Sequence, residues 1–124
     1  MAIRIFHRDG PSLRLPMISK DARIVVWPGV GAWDATLGYV RMEPGEANVP
    51  HVHESSEDTI FILEGTGTAH DYDAGKELRF HAGCVVHVPP GVKHAVRADP
   101  DCGVTSVGGP APADIQLLKR IGAL

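Results

Sequence analysis

The chain carries seven histidines, and two of them stand one residue apart as His51-Val52-His53. In an extended strand residues i and i+2 point to the same side, so this spacing aims two imidazoles at one place without any special backbone. Two imidazoles aimed together suit a metal ion. Two solvated rings on a polar strand face would look the same, and seven histidines in 124 residues give an HxH by chance roughly 0.4 times. The pair alone decides nothing; the spacing around it must.

That spacing is specific. The segment GEANVPHVHESSEDTIFILEG places five residues between Gly45 and His51, four between His53 and Asp58, and six between Asp58 and Gly65. Farther on, GCVVHVPPGVKH places five residues between Gly83 and Pro89-Pro90-Gly91, then two before His94. A pattern like the second arises by chance roughly 0.007 times in a chain of this composition. Together the two segments resemble the two motifs of the cupin superfamily, in their usual order and with a short stretch between them. The resemblance implies an all-β fold, a single jelly-roll barrel (a double-stranded β-helix). It also implies one divalent metal held inside the barrel by His51, His53, Asp58 and His94. Two positions depart from the family pattern: its acid is most often Glu, and the Asn that commonly closes its second motif is Ala98 here.

The donor set agrees with this on chemical grounds. Three imidazoles and a carboxylate suit Fe, Mn, Ni, Zn or Co, and four protein ligands leave positions open for water or substrate on an ion that prefers five or six. Which carboxylate joins them is a question of register. Glu57 and Asp58 are adjacent on a segment entering a strand, so they point to opposite faces. Glu57 has the usual residue type, the longer reach and a spacing from His53 that some cupins use. Asp58 keeps the six-residue spacing to Gly65, a turn glycine that fixes strand register, and is the expected ligand.

These residues must be positioned by strands. Short runs rich in Val, Ile, Tyr and Phe recur between Gly or Pro breaks, at residues 23–26, 36–42, 49–53, 59–63, 66–72, 76–81, 84–88, 93–98 and 104–107. Fourteen glycines and ten prolines supply the turns, with Gly45, Gly65, Gly83 and Gly91 expected at positions of positive φ or close backbone approach. Only the C-terminus reads as helical, for one or two turns: Asp114 can cap it, Ile115, Leu118 and Ile121 recur at helical spacing, and Gly122 can stop it. The first twenty residues show no period and are expected to add an edge strand or pack on a partner. The expected core includes Ile60, Phe61, Ile62, Val85, Val86 and Val88. Length and the absence of linkers point to one domain over residues 1–124, with its metal-binding core at about 35–108.

The remaining candidates read as ordinary residues. His7, His70 and His81 are expected to have no direct role, while His87 could face the cavity as an acid/base or face outward. Trp27, Trp33, Tyr39 and Phe61 fit a core or a subunit contact, and Arg41 a solvated strand position. Cys84 and Cys102 match no redox or zinc spacing and are expected to be buried thiols. A net charge of −3 without a basic block argues against nucleic acid, and no apolar run reaches the ~18 residues of a membrane span. The expected setting is the cytoplasm, and the expected assembly a homodimer, as is common among small cupins, through the Ile24–Trp33 stretch and the C-terminal turn.

Fold does not set function here. Cupins include dioxygenases, decarboxylases, lyases, isomerases and epimerases, as well as proteins that only bind a ligand. The intact ligand set disfavours the epimerase type, and Asp58 the three-histidine dioxygenases. Asn48 stands where oxalate-cleaving members usually carry Arg. The resulting expectation is a metal-dependent dioxygenase-, lyase- or isomerase-type enzyme acting on a small oxygen-bearing molecule chelated to the ion; the alternative is a non-catalytic module binding a ligand through the same metal.

Overall fold

In the computed structural model, which describes residues 2–124, β-branched and aromatic runs separated by glycine turns form nine strands, with one 3₁₀ turn at Pro28–Val30 and one short α-helix. These are β1 (Leu13–Arg14), β2 (Asp21–Val26), β3 (Leu37–Met42), β4 (Glu57–Glu64), β5 (Thr66–Asp71), β6 (Lys76–His81), β7 (Val85–Val88), β8 (His94–Ala98), β9 (Val104–Ala111) and α1 (Ile115–Arg120). They make a six-stranded sheet in the order β1-β2-β3-β9-β4-β7 and a three-stranded sheet in the order β6-β5-β8, antiparallel throughout. This is the jelly-roll architecture. The two sheets share a core of Met42, Ile62, Phe80, Val96, Ala98 and Val104.

β4 shows how the sheet sorts its residues. Asp58, Ile60 and Ile62 face inward, whereas Phe61 is 42% and Leu63 48% exposed. Phe61 is therefore not the core residue its type suggested, and neither is Val85 at 55% exposure. Both belong to an outward row in which Tyr39, Val107, Phe61 and Val85 stand side by side across β3, β9, β4 and β7. Period-2 alternation places them there whatever their hydrophobicity.

Three more expectations need correction. Residues 49–53 form no continuous strand: Pro50 has no N–H to give a ladder, and the segment pairs with β8 only at an isolated bridge between His51 and His94, a second bridge from Ala47 to Arg97 lying just before it. Cys84 and Cys102 are unbonded and half-buried, because each lies between a turn and the strand that follows it, Cys84 packing against the core from its margin. In the Ile24–Trp33 stretch, Val25 and Pro28 are buried and Ile24 lines a cavity, which leaves Trp33 as its chief exposed apolar side chain.

The first residues do add an edge strand, with β1 pairing to β2. Gly45, Gly65, Gly83 and Gly91 all have positive φ. At Gly65, between β4 and β5, a Cβ would lie 2.0 Å from the Gly103 carbonyl oxygen, so the turn that sets the register of β4 admits no side chain. A similar constraint holds in β9, where Gly108 has φ +141 and a Cβ would meet the Thr59 carbonyl at 2.1 Å. At the C-terminus Asp114 caps α1 by accepting a hydrogen bond from the Leu117 N–H at 3.0 Å, Gly122 follows at φ +79, and Leu118 is buried.

Candidate metal centre

The four residues singled out by their spacing converge. His51 comes from the bridge segment, His53 from the loop after it, Asp58 from the start of β4 and His94 from the first position of β8. One ligand atom from each lies within 4.8 Å of all the others. Nitrogen and oxygen ligands about 2.1 Å from a first-row divalent ion are ~3 to ~4.2 Å apart, so the cluster is of the right size to close around one. The backbone makes this possible: His51 and His94 exchange both N–H···O=C bonds at 3.0 Å, which brings the two motifs together although 43 positions separate them.

Each imidazole is oriented by its outer nitrogen. His51 Nδ1 donates to the Val49 carbonyl at 2.7 Å, and His94 Nδ1 to the Val92 carbonyl at 2.9 Å. His53 Nδ1 donates to Asp114 Oδ2 at 2.7 Å. These acceptors have no hydrogen to give, so Nδ1 carries the proton in every case and Nε2 is left to face the cluster. His53 Nε2 lies 3.5 Å and His94 Nε2 3.8 Å from Asp58 Oδ2. Among the described residues, His94 Nε2 is the buried side-chain polar atom without a hydrogen-bond partner. Such an orphan costs stability unless something occupies the place it faces, and a cation accepting its lone pair would fit.

The electrostatics point the same way. Burial pushes the His51 imidazole down to about 4, so it is neutral and able to ligate near pH 7. Burial also opposes charge on His53, but hydrogen bonding to Asp58 and Asp114 outweighs it and raises the group. Asp58 is likewise desolvated, yet the imidazoles of His53 and His94 hold its carboxyl well below the usual range. The cluster thus favours one positive charge in its midst, a proton or a metal ion competing for the same nitrogen lone pairs.

Glu57 and the other histidines lie elsewhere. Glu57 is exposed and turned toward His87, 3.9 Å away, and His87 itself faces outward instead of into the cavity. His7 accepts from the Asp9 N–H, His70 stacks on Tyr72 with ring centroids 4.0 Å apart, and His81 contacts the Ala82 carbonyl. Arg41 is on the outer face, donating to Thr105 Oγ1. Asp114 is a site residue that the sequence showed only as a helix cap. Its two oxygens do two jobs, and nothing in the local spacing records the second.

The cluster sits in the wall of a cavity of about 100 Å³ between the sheets. Its other walls are mainly apolar, among them Leu15, Val40, Ile60, Val86, Val88 and Leu117. Of the polar groups that line it, Asn48 Oδ1 accepts from the Val96 N–H, Thr36 Oγ1 donates to the Pro110 carbonyl, and Arg23 is paired with Asp21 and Asp9.

Comparison with known proteins agrees with this architecture. The polyketide cyclase RemF from Streptomyces resistomycificus superposes with a TM-score of 0.71 at 25% identity, covering 89% of this chain and 80% of the cyclase. A cupin-like protein from Thermotoga maritima gives 0.69 at 24% identity, covering 93% and 84%; a predicted oxalate decarboxylase from the same organism gives 0.69 at 16%, covering 88% and 99%. No curated protein matches in sequence. Among the described residues, no helix is long and apolar enough to cross a membrane. Residues 38–107, more than half of the sequence and spanning both motifs, match the cupin domain family, and the chain belongs to that family.

Proposed function

We propose that the protein is a metal-dependent cupin enzyme in which His51, His53, Asp58 and His94 hold one divalent Fe, Mn, Ni, Zn or Co ion. The observation that carries the reading is the convergence of three imidazole Nε2 atoms and one carboxylate on a single point of an apolar cavity. The substrate is a small organic molecule with two neighbouring oxygens at one end and a hydrocarbon body at the other. The walls at Val40, Ile60, Val86 and Val88 pack the hydrocarbon and exclude water, while the oxygens complete the ion's coordination. Bound there, the metal supplies Lewis acidity toward an enolisable or oxidisable oxygen compound and, if it is iron, reactivity with dioxygen. Asp58 offsets part of the ion's charge, and the three Nδ1–H donors hold the imidazoles in the tautomer and orientation that turn Nε2 toward the ion.

The apolar walls oppose a compact anion such as oxalate, and Asn48 is occupied by a backbone bond. A 1,3-dicarbonyl compound has both required parts, and the 25% identity to a polyketide cyclase supports an isomerase- or lyase-type reaction on such a skeleton over an oxygenase. One observation favours the non-catalytic alternative: apart from the four clustered residues, the cavity lining holds no His, Asp, Glu, Lys, Tyr or Cys to act as a general acid or base. Elemental analysis of protein purified without added metal tests the centre, with close to one transition-metal ion per chain expected. Incubation of the loaded protein with an apolar 1,3-dicarbonyl then separates the readings: turnover supports the enzyme, and binding without turnover the module.

We also propose a homodimer, now placed on the outward row of Tyr39, Val107, Phe61 and Val85. A dimer mass in light scattering at micromolar concentration, lost in Phe61→Glu, is the expected result; a monomeric wild type would overturn it.

A further inference from the structure

Asp114 lies outside the matched cupin region and 61 positions from His53, yet it touches the clustered residues directly. Its carboxylate is 8% exposed and divided between two donors: Oδ2 takes the His53 Nδ1–H at 2.7 Å, and Oδ1 takes the Leu117 N–H at 3.0 Å. The segment carrying it is tied down on both sides. Ser56 Oγ donates to the Pro112 carbonyl at 2.6 Å, and the Ala113 N–H donates to the Trp33 carbonyl at 2.9 Å. Beyond it, Leu117 lines the cavity and Leu118 is buried.

We propose that Asp114 is a positioning residue of the metal centre, and that through it the docking of α1 and the loading of metal are coupled. This rests on the metal-centre reading above. A carboxylate behind an imidazole fixes its orientation and tautomer and strengthens the opposite nitrogen as a ligand, typically 10–100-fold in metal affinity. Because the same carboxylate caps α1, an ion that holds His53 in place also holds the acceptor that starts the helix, and coupling of this kind is reciprocal. The helix that supplies Leu117 to the cavity wall is therefore set in the same step that completes the site.

The test separates the two jobs of one side chain. Serine is a good helix cap but is too short to reach His53, so Asp114→Ser keeps the cap and removes the imidazole contact. Nickel affinity is measured by competition with a chelator, and amide exchange at Leu117 and Leu118 is followed with and without nickel. The expected result is a 10–100-fold weaker affinity in Asp114→Ser with unchanged circular dichroism, and a smaller loss in Asp114→Asn, which retains an acceptor. Nickel should slow exchange at Leu117 and Leu118 in the wild type and leave it unchanged in Asp114→Ser. Nickel affinity in Asp114→Ser within twofold of a wild type that binds would overturn the proposal while leaving the metal centre standing. A wild type that binds no nickel, iron, manganese, zinc or cobalt would overturn both.

Discussion

The histidines of the cluster are supported in two different ways. His51 and His94 each lean on a carbonyl two residues earlier, at Val49 and Val92, and then on each other through a pair of backbone bonds. Everything that orients them lies within the two motifs. His53 instead leans on a carboxylate from the far end of the chain. The candidate centre is thus half self-contained and half dependent on an element that the motifs do not include. The self-contained half should fail only when its own residues change; the other half should respond to residues that never approach the ion.

The largest effect is expected from the residues themselves. His94→Ala and Asp58→Ala should each lower metal affinity by more than ~100-fold, beyond the range seen when only a supporting partner is lost, while circular dichroism still reports a β protein. Elemental analysis after dialysis checks this, and full occupancy in both variants would remove the site. Next comes Leu118→Ala, which empties a buried leucine position and should cost ~2–5 kcal/mol in chemical denaturation. If the comparison holds, this variant also weakens metal binding through Asp114, although Leu118 is not part of the cluster. Unchanged affinity in Leu118→Ala would mean that His53 is as self-contained as its neighbours.

Ser56→Ala is a milder form of the same experiment. It leaves the Pro112 carbonyl without its buried donor and should destabilise by ~1–3 kcal/mol, read from the shift in denaturation midpoint. At the other end of β8 from His94, Asp99 serves as the control. Its hydrogen bonds from Arg79 and Thr66 hold the carboxyl below the usual carboxylate range. A depressed native value stabilises the fold above ~pH 4, and this contribution fades as pH falls through the native value. Asp99→Asn should therefore melt slightly below wild type at neutral pH and converge with it in acid, with metal affinity unaltered at pH 7. Smallest of all is Glu57→Ala, which should change neither metal content nor stability measurably, since Glu57 is exposed and faces away.

How much of this was legible in the sequence depends on how local each determinant is. The meeting of His51, His53, Asp58 and His94 was, because a turn glycine that tolerates no Cβ fixes the parity of β4, and parity decides between Asp58 and Glu57. The strands bounded by glycine turns were legible for the same reason. Phe61 and Val85 misled, since an apolar residue type does not state which face of a sheet it occupies. Pro50 was in plain view, but that it would reduce residues 49–53 to isolated bridges depended on how β8 approaches. Asp114 was readable as a cap because Leu117 is three residues away. Its bond to His53 was not, because long-range pairing leaves no trace in spacing.

The glycines of β9 constrain how this cavity can be altered. Gly108 and Gly109 line it, and an added Cβ at Gly109 would lie 2.7 Å from Thr36 Oγ1 and 3.0 Å from the Thr36 carbonyl oxygen. Together with Gly108 they form a wall of bare backbone that cannot be built inward one methyl at a time without disturbing the strand beside it. A redesign for a larger or smaller substrate must therefore work from the strands beside β9 in the same sheet, at Val40, Ile60, Val86 and Val88, where side chains can be exchanged without moving the chain. Variation in substrate preference should accumulate at those four positions while Gly108 and Gly109 stay silent.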